Sequence, residues 1–219
     1  MIEIKNLYLN YIKEYSALYN INLKIEDKEK VAIVGEDESG KTSLIRCLCK
    51  LENYNKGEIY INNINLRKID FKKDVNLIYL SGNPVFLNGK TVYQNLAYSL
   101  KIRNFTNSQI NQKINRALDY LGIESLKERK IKSLSNNEKQ IVNIARSILR
   151  EADYYLIDDI FNFDKETNEK IAKVFTEIFN KDATIIYVLN TKNIDLTKVL
   201  NTTRIIQMNN GSIEKDINN

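Results

Sequence analysis

Gly35-Glu36-Asp37-Glu38-Ser39-Gly40-Lys41-Thr42 stands between a short apolar run, Lys30 to Val34, and a stretch of helical patterning, Lys41 to Leu51. It fills every fixed position of the pattern G-x-x-x-x-G-K-[ST], in the strand–loop–helix setting that this pattern requires. Successive backbone N–H groups of such a loop converge on phosphate oxygens. The helix that follows aims the positive end of its dipole at the same anion. Lys41 adds a full charge for the β- and γ-phosphates, Thr42 offers a hydroxyl to Mg²⁺, and Ser43 completes the candidate phosphate contacts. Glu36, Asp37 and Glu38 put three carboxylates beside a polyanion, so they are expected to face solvent, where charge is screened over ~8 Å.

Outward from this loop, strands and helices alternate. Ile21 to Ile25 alternates with period two, and Glu58 to Ile61 and Val75 to Leu80 read as further strands. Helical patterning is expected from Thr91 to about Gly122, with a cap near Thr106-Asn107-Ser108, and again from Glu138 to Arg150. Tyr154 to Ile157 is a continuous apolar run ending in Asp158-Asp159, the pattern of a strand buried on both faces. A helix from Glu166 to Phe179, a strand from Thr184 to Leu189 and closing strands at Arg204–Met208 and Ser212–Glu214 follow. This order predicts an α/β fold with a three-layer core, a mainly parallel sheet and an N-terminal antiparallel β part. The whole of 1–219 is read as one domain, with a core of 1–84 and 138–219 interrupted by a helical subdomain of about 85–137.

Composition narrows the function. The chain is mildly basic, with 33 Lys+Arg against 28 Asp+Glu, and its densest basic stretch, Lys127 to Lys132, is interrupted by Glu128. No nucleic-acid partner is expected from so weak a signal. There is no histidine, so His-dependent chemistry is excluded. Cys47 and Cys49, spaced i, i+2 on an expected helix, point to different faces and are expected to stay reduced. No apolar run approaches the ~18 residues of a membrane span. The opening MIEIKNLYLN lacks a basic region followed by an apolar one, so no secretory leader is expected.

Further motifs carry a resemblance. Leu134-Ser135-Asn136-Asn137-Glu138-Lys139-Gln140-Ile141-Val142-Asn143-Ile144-Ala145-Arg146 resembles the LSGGQ signature region of ABC transporter ATP-binding subunits, and Tyr154 to Asp159 falls where that family has its Walker B strand. Lys56-Gly57-Glu58-Ile59, Thr91-Val92-Tyr93-Gln94-Asn95-Leu96 and Arg204 to Gly211 resemble further family landmarks. The resemblance implies a P-loop NTPase fold that binds ATP and Mg²⁺. It implies that Tyr11 stacks on adenine, that Thr42 and Asp158 serve the metal, and that Asp159 and Asn190 serve hydrolysis. Ser135, Asn136 and Asn137 would touch the nucleotide held by a second ATPase chain, in a homodimer or a heterodimer. A separate transmembrane permease subunit would be the other partner, with this chain cytoplasmic and peripheral on the inner face of the membrane.

The chain also departs from the family pattern. Asp159 replaces a glutamate base and is one methylene shorter. Asn190 stands where the family has a switch histidine, and Leu80-Ser81-Gly82 lacks the lid glutamine. Asn136 and Asn137 replace the signature glycines, and asparagine tolerates φ > 0 better than most residues. Glu38 replaces a glycine, and Ile160-Phe161-Asn162-Phe163-Asp164 is one residue short. Together these changes predict nucleotide binding with slow or partner-dependent hydrolysis. The alternative is a catalytically impaired, ATP-gated regulatory or structural module without transport. A small-molecule kinase is disfavoured by the signature-like stretch and by the lack of an arginine-rich lid.

Overall fold

The structure is a computed structural model and describes residues 1–12, 15–71, 73–178 and 182–218. Its central sheet is built on β3 (Lys30–Gly35), whose alternate residues belong to different cores. Val31 and Ile33 pack to one side, Ala32 and Val34 to the other, and all four are buried. The same split holds in β7 (Tyr154–Asp158) and β8 (Thr184–Asn190). Burial on both faces is why these strands read as unbroken apolar runs rather than alternating ones.

With β6 (Leu77–Ser81), β9 (Arg204–Asn209) and β10 (Ser212–Asn218), these strands form a six-stranded sheet in the order β10-β9-β3-β8-β7-β6. All its pairings are parallel except β9–β10. A four-stranded antiparallel sheet is formed by β1 (Ile2–Ile12), β2 (Tyr15–Ile25), β4 (Lys56–Ile61) and β5 (Ile64–Asn65), with β3 intervening in the chain. Its inner face shares one core with α1 (Lys41–Leu48) and one side of the parallel sheet, through Ile2, Leu18, Ile33, Leu44, Leu48 and Val188. A second core, with Tyr187 and Phe175, lies under α5 (Lys165–Ile178) and α6 (Leu196–Val199). The layers expected from the sequence are therefore present.

A third core joins α2 (Val92–Ile102), α3 (Asn107–Leu121) and α4 (Asn136–Ile148) through Val92, Leu96, Ile114, Leu118 and Val142. α4 belongs to two cores at once, since Ile144 packs into the second and Val142 and Ala145 into the third. Each of the three helices opens with a reciprocal cap, Thr91 with Gln94, Thr106 with Gln109 and Ser135 with Glu138. Each cap satisfies two otherwise orphaned backbone donors.

Some boundaries differ from expectation. Helix α1 stops at Leu48, because Lys50 turns into the left-handed region at φ 56°. The helical stretch from Thr91 breaks after Ile102, with Asn104 at φ 60°, and resumes at the predicted Thr106 cap. Helix α4 begins at Asn136 rather than Glu138, because Ser135 is its cap. The expected end of the helix before β8, Phe179, lies outside the described residues.

Candidate functional site

The carboxyl ends of β3, β6, β7 and β8 converge. Gly35 pairs with Asn190 across β3–β8, and Ser81 pairs with Asp158 across β6–β7. Ligands of open α/β sheets settle at this edge, where side chains from adjacent strands meet without leaving the sheet. Here a cavity of about 310 Å³ opens, and its lining includes Tyr11, Asp37, Glu38, Lys41, Thr42, Ser43, Asp159 and Asn190.

The loop's own backbone shapes one wall. Gly40 caps α1 at φ 95°, where a Cβ would lie 2.5 Å from the Ala17 carbonyl oxygen of β2. Only glycine fits so close an approach in that conformation. A Cβ on Gly211, in the β9–β10 turn, would lie 2.8 Å from the same oxygen. Gly211 donates its N–H to the Ser39 carbonyl (3.1 Å) and accepts from the Tyr19 N–H (2.8 Å), so the closing hairpin braces the loop against β2. Gly35 is equally constrained, since a Cβ there would meet the Met208 carbonyl oxygen at 2.4 Å. Glu38 takes φ 63°, which confirms the glycine-like backbone at that position.

Lys41 is buried and donates from Nζ to Ser39 Oγ (2.9 Å) and to the Glu36 carbonyl oxygen. Burial lowers its pKa, against the opposing pull of Asp37 and Asp158. Thr42 Oγ1 donates to Asp158 Oδ1 (3.0 Å), and Tyr79 donates its hydroxyl to Asp158 Oδ2 (2.9 Å). Asp158 is 2% exposed, and burial raises its pKa despite these two hydrogen bonds. Burial raises the Tyr79 hydroxyl as well. Thr42 at the cavity wall and the buried Asp158 behind it thus set two hard oxygen donors side by side. This donor set fits Mg²⁺, which takes one or two protein oxygens and completes its shell with water and phosphate.

Across the cavity, Asp159 holds φ 55°, and the Asn162 side-chain amide donates to its Oδ1 (2.9 Å) and to its carbonyl oxygen (3.0 Å). Asn190 donates from Nδ2 to Asp37 Oδ1 (2.9 Å), and the Thr191 hydroxyl donates to the Glu36 carboxylate. The loop carboxylates are exposed, but Asp37 and Glu38 line the cavity rather than turning away from it, and Glu36 and Asp37 are tied to the end of β8. Tyr11 is 51% exposed, with its hydroxyl 3.1 Å from Ser43 Oγ.

The structure does not bring Ser135, Asn136 and Asn137 to this cavity. They sit exposed at the N-terminus of α4. Neither asparagine uses a left-handed backbone, because both belong to the first helical turn, so their tolerance of φ > 0 is not called on there. Farther along α4, Asn143 donates to the Ser81 carbonyl (2.9 Å) and Arg146 to the Val85 carbonyl (2.7 Å), fastening the helix to the segment after β6.

The loop, the paired strand ends and the capped α4 stand in the order the sequence gives them. A sequence profile described as "ABC transporter" matches residues 18–162 of the chain. The chain belongs to the ABC transporter family. Among ABC relatives, it is 33% identical over 207 residues to the methionine import ATP-binding protein MetN of Clostridium tetani, covering 90% of this chain and 63% of that one. It is 29% identical over 216 residues to the oligosaccharides import ATP-binding protein MsmX of Bacillus subtilis, covering 98% and 58%. The chain therefore spans about three fifths of the length of these curated relatives. The fold matches that of the ATP-binding cassette MJ0796 in a dimeric post-hydrolysis state bound to ADP and Pi, with a TM-score of 0.84, 24% identity and coverage of 100% and 98%. It also matches cbiO1 from Clostridium perfringens, part of the ABC transporter complex cbiONQ, with a TM-score of 0.77, 22% identity and coverage of 99% and 88%.

Reading motifs one at a time missed Tyr79, Asn162 and the bracing pair Ala17 and Gly211. Tyr79 had a legible signal, since a tyrosine in a strand bordering a buried Asp needs a partner for its hydroxyl. The others depend on contacts between segments far apart in sequence or on a turn that no motif specifies.

Proposed function

We propose that this chain is the ATP-binding and ATP-hydrolysing subunit of an ABC transporter, with turnover that is slow or dependent on its partners. The observation that carries this reading is the cavity lined by Lys41 and Thr42, with the buried Asp158 bonded to Thr42 behind its wall, while Ser135, Asn136 and Asn137 stand outside it, exposed. One chain holds the phosphate-binding half and presents the complementary half elsewhere, so a complete site takes two chains. Residues 85–137 then act as the helical subdomain that presents the Ser135 segment, and 1–84 with 138–219 act as the core. A separate permease would supply the membrane path, since among the described residues no helix is long and apolar enough to cross a membrane. The chain would work peripherally, at the inner face. MetN and MsmX, named above, are import ATP-binding proteins, which favours import as the direction.

In this reading the loop amides and Lys41 bind the phosphates, and Tyr11 supports the adenine. Thr42 and Asp158 would hold Mg²⁺, which supplies charge neutralisation at the phosphates. Asp159 accepts the proton of the attacking water, and Asn190 donates to the γ-phosphate. Binding rests on the backbone and Lys41, whereas hydrolysis rests on a shortened carboxylate. A carboxylate base must come within ~2.6–3.2 Å of the water it activates, directly or through one water. Lys41→Ala is expected to weaken binding of a fluorescent ATP analogue with Mg²⁺ by roughly 10- to 100-fold, the worth of a charge-assisted contact. Equal affinity in the variant and the wild type would sink the reading.

A further inference from the structure

Three of the family departures meet at one point in space. Gly82 occupies the end of the lid segment, Asp159 follows the Walker B strand, and Asn162 lies in the shortened segment after it. Gly82 donates its N–H to the Asp158 carbonyl (2.8 Å), which brings the end of β6 against the 158–159 peptide. A Cβ on Gly82 would lie 2.2 Å from the Asp159 carbonyl oxygen, 3.1 Å from its carbonyl carbon and 3.4 Å from its Cβ. Gly82 itself has no positive φ, so it is needed for close approach and not for backbone freedom. A glutamine at this position would evict the Asp159 carbonyl.

The turn at Asp159 has a cause. Ile160 and Phe161 are buried at 0% and 3% exposure, and Asp164 already accepts from the Thr167 N–H (3.0 Å) to start α5. The chain reverses at Asp159, at φ 55°, immediately before it buries these two side chains. That conformation is unfavourable for an L residue unless its surroundings impose it. Asn162 imposes it by gripping both the carbonyl and the carboxylate of Asp159 with one amide group.

We propose that Gly82 and Asn162 are positioning residues for Asp159, holding its carboxylate at the cavity wall in a fixed left-handed turn. The inference rests on the reading of Asp159 as the base. It makes the missing glutamine, the aspartate and the short segment a single adaptation: the glycine vacates the space, and Asn162, in the short segment, holds the turn and orients the shorter carboxylate. One carboxylate oxygen is committed to Asn162, and the other is left for the proton.

The test uses the full chain, measuring affinity for a fluorescent ATP analogue with Mg²⁺ and single-turnover phosphate release. Asn162→Ala is expected to cut phosphate release about 10-fold or more, by analogy with small misplacements of catalytic groups, with analogue affinity within about 2-fold. In an Asp159→Asn background the same change is expected to do nothing further, because it acts only through that carboxylate. An equal loss in both backgrounds, a matching loss of affinity, or unchanged release would overturn the proposal. Gly82→Ala gives a readout independent of turnover. Its crystal structure is expected to show residue 159 displaced from the left-handed region, and an unmoved residue 159 would also overturn the proposal. A wild-type chain that fails to bind the analogue would overturn the parent reading alone, leaving the Gly82→Ala structure to decide the turn.

Discussion

The two walls of the cavity are specified in different ways. The wall made by 35–43 is a backbone object: Gly35 and Gly40 exist because neighbouring carbonyls leave no room for a Cβ. The wall made by the ends of β6, β7 and β8 is a side-chain object, where Asp159 and Asn190 are placed by Asn162 and Asp37. The acidic residues 36–38 leave the first wall's backbone path intact. In the second, one changed residue alters its neighbours, as Gly82 does for Asp159. In the function proposed above, affinity and turnover would therefore diverge within one site, because they would reside in different walls.

The largest expected effect separates the two walls directly. Asp159→Asn keeps the shape of the side chain and removes its basicity, so steady-state phosphate release should fall by roughly 10²- to 10⁴-fold, with nucleotide affinity unchanged by equilibrium titration. A parallel loss of affinity would show that the walls are not separable. Next in size is Gly40→Ala, which adds a Cβ 2.5 Å from the Ala17 carbonyl oxygen at φ 95°. It should cost about 3 kcal/mol in urea unfolding, as expected for a strained backbone with a steric conflict, and a neutral result would deny that the backbone defines this wall. The smallest effect concerns Cys47, behind the loop on α1. Burial pushes its thiol up from 9.0 to about 12. The folded chain therefore keeps that proton to higher pH than the unfolded chain, so this contribution to stability is complete below pH 9.0 and is lost as pH rises toward about 12. Native Cys47 should resist a thiol-reactive disulfide at pH 8 and react only after unfolding, and fast native labelling would reveal a looser wall than the structure shows.

This contrast also explains what the sequence could reveal. The phosphate loop, the strands of the parallel sheet and the Thr106 cap were legible because each is a local pattern with a local cause. Asp158 was legible from the apolar run that carries it. The grip of Asn162 on Asp159 was not, because it depends on a left-handed turn at Asp159 that no motif announces. Helix α4 was placed two residues late because Ser135 reads as a ligand contact before it reads as a cap, and in the structure it is the cap. β1 was not delimited by pattern, since its register with β2 shifts repeatedly and its alternation is broken.

Helix α4 is wedged between two apolar cores and stapled at its middle to the strand end at Ser81 and to Val85. At 1.5 Å of rise per residue, its 13 residues make a rod of about 20 Å. A rod gripped along its length transmits tilt without bending. A push on the exposed Ser135 tip from a second chain would therefore arrive as a tug on the segment beside Gly82, and pairing of two chains would be mechanically legible at the position of the proposed base.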